Sequence, residues 1–143
     1  MKKYLWIIGT TLFLIVCILN GCLGPEGGIT VENPFEGITF DSSVVELVNA
    51  SLGFIKEKNV VQKAEVKYLF HNVADRYIEV KVIVEFYDKN DNLLITEGPK
   101  HISLPKGYRE TTPYSPANII SYSGDKVSEV DHVRIIAEEE LNP

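Results

Sequence analysis

Between residues 77 and 88 the chain reads YIEVKVIVEFYD, with Ile78, Val80, Val82, Val84 and Phe86 at every second position. A period of two places all five on one face of a β-strand, whereas a helix would scatter them around its circumference. The intervening Tyr77, Glu79, Lys81, Ile83, Glu85 and Tyr87 make the other face half polar. One buried and one wetter face is the pattern of an antiparallel strand in a sandwich or barrel. AEVKYLFHN repeats it, with Ala64, Val66, Tyr68 and Phe70 set against Glu65, Lys67 and Leu69. VDHVRIIAEEE offers a last strand with Val133, Ile135 and Ala137 on one face. NLLITE continues as a second strand after residue 88, followed by KHISLP and a turn at 105–107. TTPYSPANIISYSGD, with two prolines, reads as a long loop containing one short strand.

One segment is ambiguous. SSVVELVNASLGFI allows a helix, with Val44, Leu47, Val48 and Ile55 at helical spacing and Ser43/Glu46 as a capping box. Its valines and Gly53 favour a strand. Six or seven short strands separated by turn signals give an all-β fold, a small β-sandwich.

The N-terminal residues belong to something else. Lys2 and Lys3 precede an uncharged apolar run over residues 4–19, shorter than the roughly 20 residues of a comfortable membrane span. A positive start and an apolar run of this length describe a secretory signal. The run ends in LNGC, residues 19–22, which resembles the lipobox of prokaryotic lipoproteins, in which cleavage leaves Cys22 as a lipidated N-terminus. Small residues let the backbone enter a peptidase, and among the lipobox side chains only a thiol takes a thioether lipid. The alternative is an uncleaved anchor helix. Either attachment places the body outside the cytoplasm, because the lysines stay inside.

Residues 1–21 are therefore expected as a signal peptide, 22–42 as a Gly- and Pro-rich tether, and 43–143 as the sandwich. Loss of Lys2 and Lys3 leaves 12 basic residues against 20 acidic ones, a net charge of −8. Such a body is not suited to nucleic acid or to anionic headgroups, so membrane attachment falls to the N-terminal lipid or anchor. Cys17 and Cys22 both lie in or beside the signal, which removes disulfides and cysteine-rich zinc from the exported domain.

The hairpin VEFYDKNDNLL, residues 84–94, resembles the signature of FxLYD-type domains, with Val84, Phe86, Tyr87 and Asp88 filling the pattern and Val84 replacing its initial phenylalanine. Upstream, Asn72 corresponds to the asparagine that ends one strand of the family's preceding hairpin. Downstream, ISLPKGYRETTPYS is similar to its L-x-P-G-x turn, with Lys106 inserted between Pro105 and Gly107. The likeness covers about residues 44–137. It implies an extracytoplasmic, immunoglobulin-like antiparallel sandwich, often on lipoproteins, and no catalytic residues.

Few side chains are placed for chemistry. Asp88, Asn90 and Asn92 occupy the first, third and fifth positions of an EF-hand-like loop, but Leu93 stands where glycine is needed and Pro99 where the bidentate glutamate belongs. A turn between two strands explains these residues better than a weak Ca²⁺ site. His71, His101 and His132 fall on different segments, and YSGD at 122–125 reads as a turn rather than a nucleophile elbow. Asn49 begins an N-x-S glycosylation pattern. Tyr108, Tyr114 and Tyr122 lie on loops, where such rings either recognise a ligand or cap a core. Glu138, Glu139 and Glu140 read as a solvated end. The expected function is a non-catalytic interaction or structural module of the cell envelope, without cofactor, its partner an unidentified envelope protein. A solute- or metal-binding protein is the alternative, and a small hydrolase ranks last.

Overall fold

The alternating segments all become strands, and the fold follows from which faces they bury. Residues 35–141 are described by the structure, a computed structural model. Seven strands run in order: β1 (Ile38–Ser42), β2 (Val45–Glu57), β3 (Val60–Asn72), β4 (Ile78–Tyr87), β5 (Leu93–Leu104), β6 (Ile119–Tyr122) and β7 (His132–Glu139). One sheet has the order β1-β7-β4-β5 and the other β2-β3-β6, an all-β sandwich. The pairings are antiparallel except β1 with β7, which run parallel. Cys22 and the expected signal lie outside the described residues.

The inward faces are those read from the period of two. Ile78, Val80, Val82, Val84 and Phe86 are buried, as are Ala64, Val66, Tyr68 and Phe70, and Val133, Ile135 and Ala137. Phe86 meets Tyr122 across the core at 5.8 Å between ring centroids, and Tyr68 stacks on Phe70 at 5.0 Å. Dry burial of this kind supplies most of the driving force, about 25 cal/mol per Å² of apolar surface.

The ambiguous segment is β2, and a β-bulge explains its mixed pattern. The register with β3 shifts between Leu47 and Asn49, so that Val48 is an extra residue and the inward set passes from Val45 to Ala50. The tether expected over 22–42 is shorter than that range. Its last five residues form β1, because Ile38 is buried and Phe40 packs on Phe70 at 5.7 Å. Ile38 and Phe40 carry the same alternation as the other strands, and the neighbouring Gly and Pro residues obscure it.

NLLITE and KHISLP are one strand rather than two segments. Val82 pairs with Lys100 and Val84 with Glu97, so Ile83 alone faces Gly98 and Pro99. Gly98 has φ +116°, and a Cβ there would lie 2.8 Å from the Val82 carbonyl oxygen. No L side chain fits both demands.

At the far end of the sandwich Asn72 is 1% exposed. Its Nδ2 donates to the carbonyls of Arg76, Leu104 and Pro105, each at 2.9 Å, and its Oδ1 accepts from Ala74 N at 2.8 Å. Its backbone N–H reaches Tyr108 O at 2.9 Å. One residue thus joins the end of β3 to the end of β5 and to two turns. Its truncation would strand several buried polar groups, each costing about 1–3 kcal/mol.

Urea unfolding is expected to show Gly98→Ala destabilised by about 1–3 kcal/mol, from the strained backbone and the carbonyl clash. Asn72→Ala should lose on the order of 3 kcal/mol or more. Gly107, also at positive φ but with open space around it, should suffer less as Gly107→Ala.

Candidate functional site

The acidic cluster of the β4–β5 hairpin forms a turn whose polar groups satisfy one another. Asp88 N donates to Asn92 O and Asp91 N to Asp88 O, closing the loop, and Asp91 takes φ +60°. The Asp88 Oδ1 accepts from Asn90 N at 2.8 Å and Asn92 N at 3.0 Å, and Oδ2 accepts from Asn92 Nδ2 at 2.9 Å. Both carboxylate oxygens are thus engaged by amides. The Asn92 side-chain amide and then its backbone N–H hold the Asp88 carboxyl below the ordinary value of 3.8. Asn90 turns the chain and offers its backbone, so the three residues are brought together as a turn and not as a ring of free oxygen donors.

The histidines meet three separate sets of carboxylates. His71 Nδ1 lies 3.2 Å from Glu46, His101 Nδ1 2.7 Å from Glu140, and His132 has Asp131 and Asp91 at 3.2 Å on its two nitrogens. His132 also stacks flat on Tyr87 at 5.3 Å. From there a polar ladder crosses the outer face of the four-stranded sheet. The Tyr87 hydroxyl donates to Glu85 at 2.7 Å, which raises the tyrosine pKa, and Arg134 joins Glu85 to Asp41 of β1. These are exposed and half-buried side chains arranged strand to strand, and among the described residues no group of three His, Asp or Glu side chains is disposed to hold a metal ion.

A second polar cluster escaped the sequence reading. Glu110 Oε2 accepts from Phe70 N and Asn118 Nδ2, both at 2.9 Å, and Asn118 is 2% exposed. Ser115 Oγ donates to Asn118 Oδ1, and the Tyr68 hydroxyl donates to Ala117 O at 2.8 Å. Burial first, then the Glu110 charge, raises the Tyr68 pKa far above its ordinary 10. The cluster pins the 105–118 loop along β3. Glu110 N also donates to Phe70 O, so the loop completes the ladder that β6 begins. No spacing in the sequence signals this, since the partners are brought together only by the fold.

The three tyrosines expected on loops divide, and Tyr122 is instead the last residue of β6. Tyr122 is buried, its hydroxyl accepts from Lys126 N, and its ring covers Gly124, which makes YSGD a turn. The Tyr114 hydroxyl accepts from Asn49 Nδ2 at 3.0 Å, so the glycosylation candidate is already hydrogen-bonded through the nitrogen a glycan would need. Tyr108 is exposed. Phe54, Ile55 and Val60, at the end of the β2–β3 hairpin, are exposed as well, at 42%, 50% and 57%. The two-residue turn Lys58–Asn59, both at positive φ, carries this hairpin. Beside it a groove of about 450 Å³ is lined by Phe35, Ile38, Ala50, Leu52 and Phe54. Glu36, Ser51 and Asp131 also line it, so the groove is apolar along the β2 face and polar at its rim.

Comparison of the sequence with known families and with characterised proteins finds no match. Among solved structures the chain is similar to the crystal structure of Campylobacter jejuni cj0090, with a TM-score of 0.45 and 12% identity over 73% of this chain and 99% of that one.

Two outcomes follow from the turn. A carbon-13 titration should place Asp88 below 3.8. A depressed folded value means that its stabilisation is complete above the unfolded value and is lost as pH falls through the folded one. Millimolar Ca²⁺ should leave the melting temperature unchanged, and a rise of several degrees would show that the carboxylate exchanges its amide partners for a cation.

Proposed function

We propose that this chain is an extracytoplasmic lipoprotein, held at the membrane through Cys22, whose FxLYD-type sandwich is a non-catalytic interaction module. The observation that carries the reading is the apolar end of the β2–β3 hairpin, where Phe54, Ile55 and Val60 face solvent on a strand pair fixed by cross-strand hydrogen bonds. Exposed apolar side chains gathered beside a groove mark a contact surface. The polar side chains that invite a chemical reading, Asp88 and the three histidines, each have a partner within the fold, as do the buried Asn72 and the loop residue Glu110. The lipobox at residues 19–22 and the acidic body support attachment through the N-terminus rather than through surface charge. A tether from Cys22 to Phe35 would leave the hairpin free to meet an envelope protein.

Intact-mass analysis of the membrane-bound form tests the anchor. The expected species starts at Cys22 and carries lipid, and a chain retaining Met1 would contradict it.

A further inference from the structure

The four edge strands of the sandwich differ in how they are guarded against pairing with another chain. β1 and β6 are short, five and four residues. β5 is interrupted by the Gly98–Pro99 bulge and followed directly by Lys100 and His101. Short length, bulges, proline and lysine are the usual protections of an edge. β2 has thirteen residues, and its stretch 47–55, LVNASLGFI, contains no charge and no proline. The register with β3 is regular from Asn49 to Ile55, between irregularities at Val48 and beyond Ile55. That regular run is seven residues long and is centred on Leu52.

We propose that β2 pairs antiparallel with β2 of a second copy of this chain, about a two-fold axis at Leu52. The inference rests on the interaction-module reading and names its partner. Antiparallel pairing of identical strands is what a two-fold axis produces, and it would join the two three-stranded sheets into one of six strands.

The strand is complementary to itself in this register. Ala50 of one copy faces Phe54 of the other, both on the inward side that lines the groove. The small residue leaves room for the ring of the second copy to enter between Ala50, Ile38 and Phe35, which covers a side chain now 42% exposed. On the outward side Ser51 faces Gly53. Asn49 faces Ile55 at each end of the regular run, and no charged residue falls within it. A contact of one strand and two rings is smaller than a standard interface, and the pairing is weak in dilute solution. Confinement of both copies to one membrane raises their effective concentration and favours it.

The body contains no cysteine, which makes a single introduced thiol an unambiguous reporter. The full chain carrying Ser51→Cys, at an exposed position, is expressed in intact cells and treated with a short bismaleimide. Two such thiols would lie about 7–8 Å apart across the axis. The unsubstituted chain controls for Cys17 and Cys22, and Ser103→Cys on β5 controls for crowding. The expected result is a crosslinked dimer from Ser51→Cys alone, reduced at least tenfold when Phe54→Lys is added. Equal dimer from Ser103→Cys overturns the pairing. An adduct of Ser51→Cys with a different protein, without dimer, overturns self-pairing and leaves the interaction module standing. Absence of any adduct at Ser51 overturns both.

Discussion

The side-chain amide of Asn72 joins the two sheets of this sandwich and two of its turns. Buried at the end of β3, it donates to carbonyls at the end of β5 and in the β3–β4 connection, and it accepts from Ala74. A hydrophobic core alone would hold two sheets face to face without fixing how their ends meet, because burial is not directional. Hydrogen bonds in a dry site are directional, and a missing partner there is costly. Glu110 and Asn118 do the same for the long loop, tying it to β3 where β6 stops. These buried polar residues therefore define the frame.

With the frame fixed in this way, the edges become the informative part of the molecule. A sandwich leaves open strands, and here β1 and β6 are short and β5 carries a bulge with proline and lysine in its middle, while β2 runs without charge or proline from Leu47 to Ile55. The hairpin it forms with β3 projects Phe54, Ile55 and Val60 into solvent, and Phe54 shares a groove with Phe35. If the chain is held at a membrane as proposed, such an edge meets copies of itself at raised local concentration. That is the physical link between the proposed anchor and the proposed partner.

Much of the fold was legible because strand periodicity survives in a sheet buried on one side. The inward residues of β3, β4 and β7 follow directly from alternation. β1 was hidden by the Gly- and Pro-rich composition around it, although Ile38 and Phe40 carry the same signal. In β2 the bulge at Val48 breaks the period, which is why its sequence fits both helix and strand spacings. β5 looked divided because Gly98 and Pro99 read as a break, whereas the structure absorbs them as a bulge. The candidate site was less legible. Asp88, Asn90 and Asn92 are adjacent in sequence and their turn could be read there, but Glu110, Asn118 and Phe70 meet only in three dimensions. An exposed strand edge has no motif at all. It is defined by what the fold fails to cover.

The central claim is that the β2 edge between Asn49 and Ile55 is a recognition surface. Amide hydrogen exchange on the full chain, compared at membrane density and after dilution into detergent, tests it most directly. The amides of β2 that face β3 should be protected in both states, since they belong to the sheet. The outward-facing amides of the same strand should exchange slowly in the membrane and rapidly once diluted. Rapid exchange of those amides in both states would contradict the claim, because an engaged edge cannot leave its donors to water.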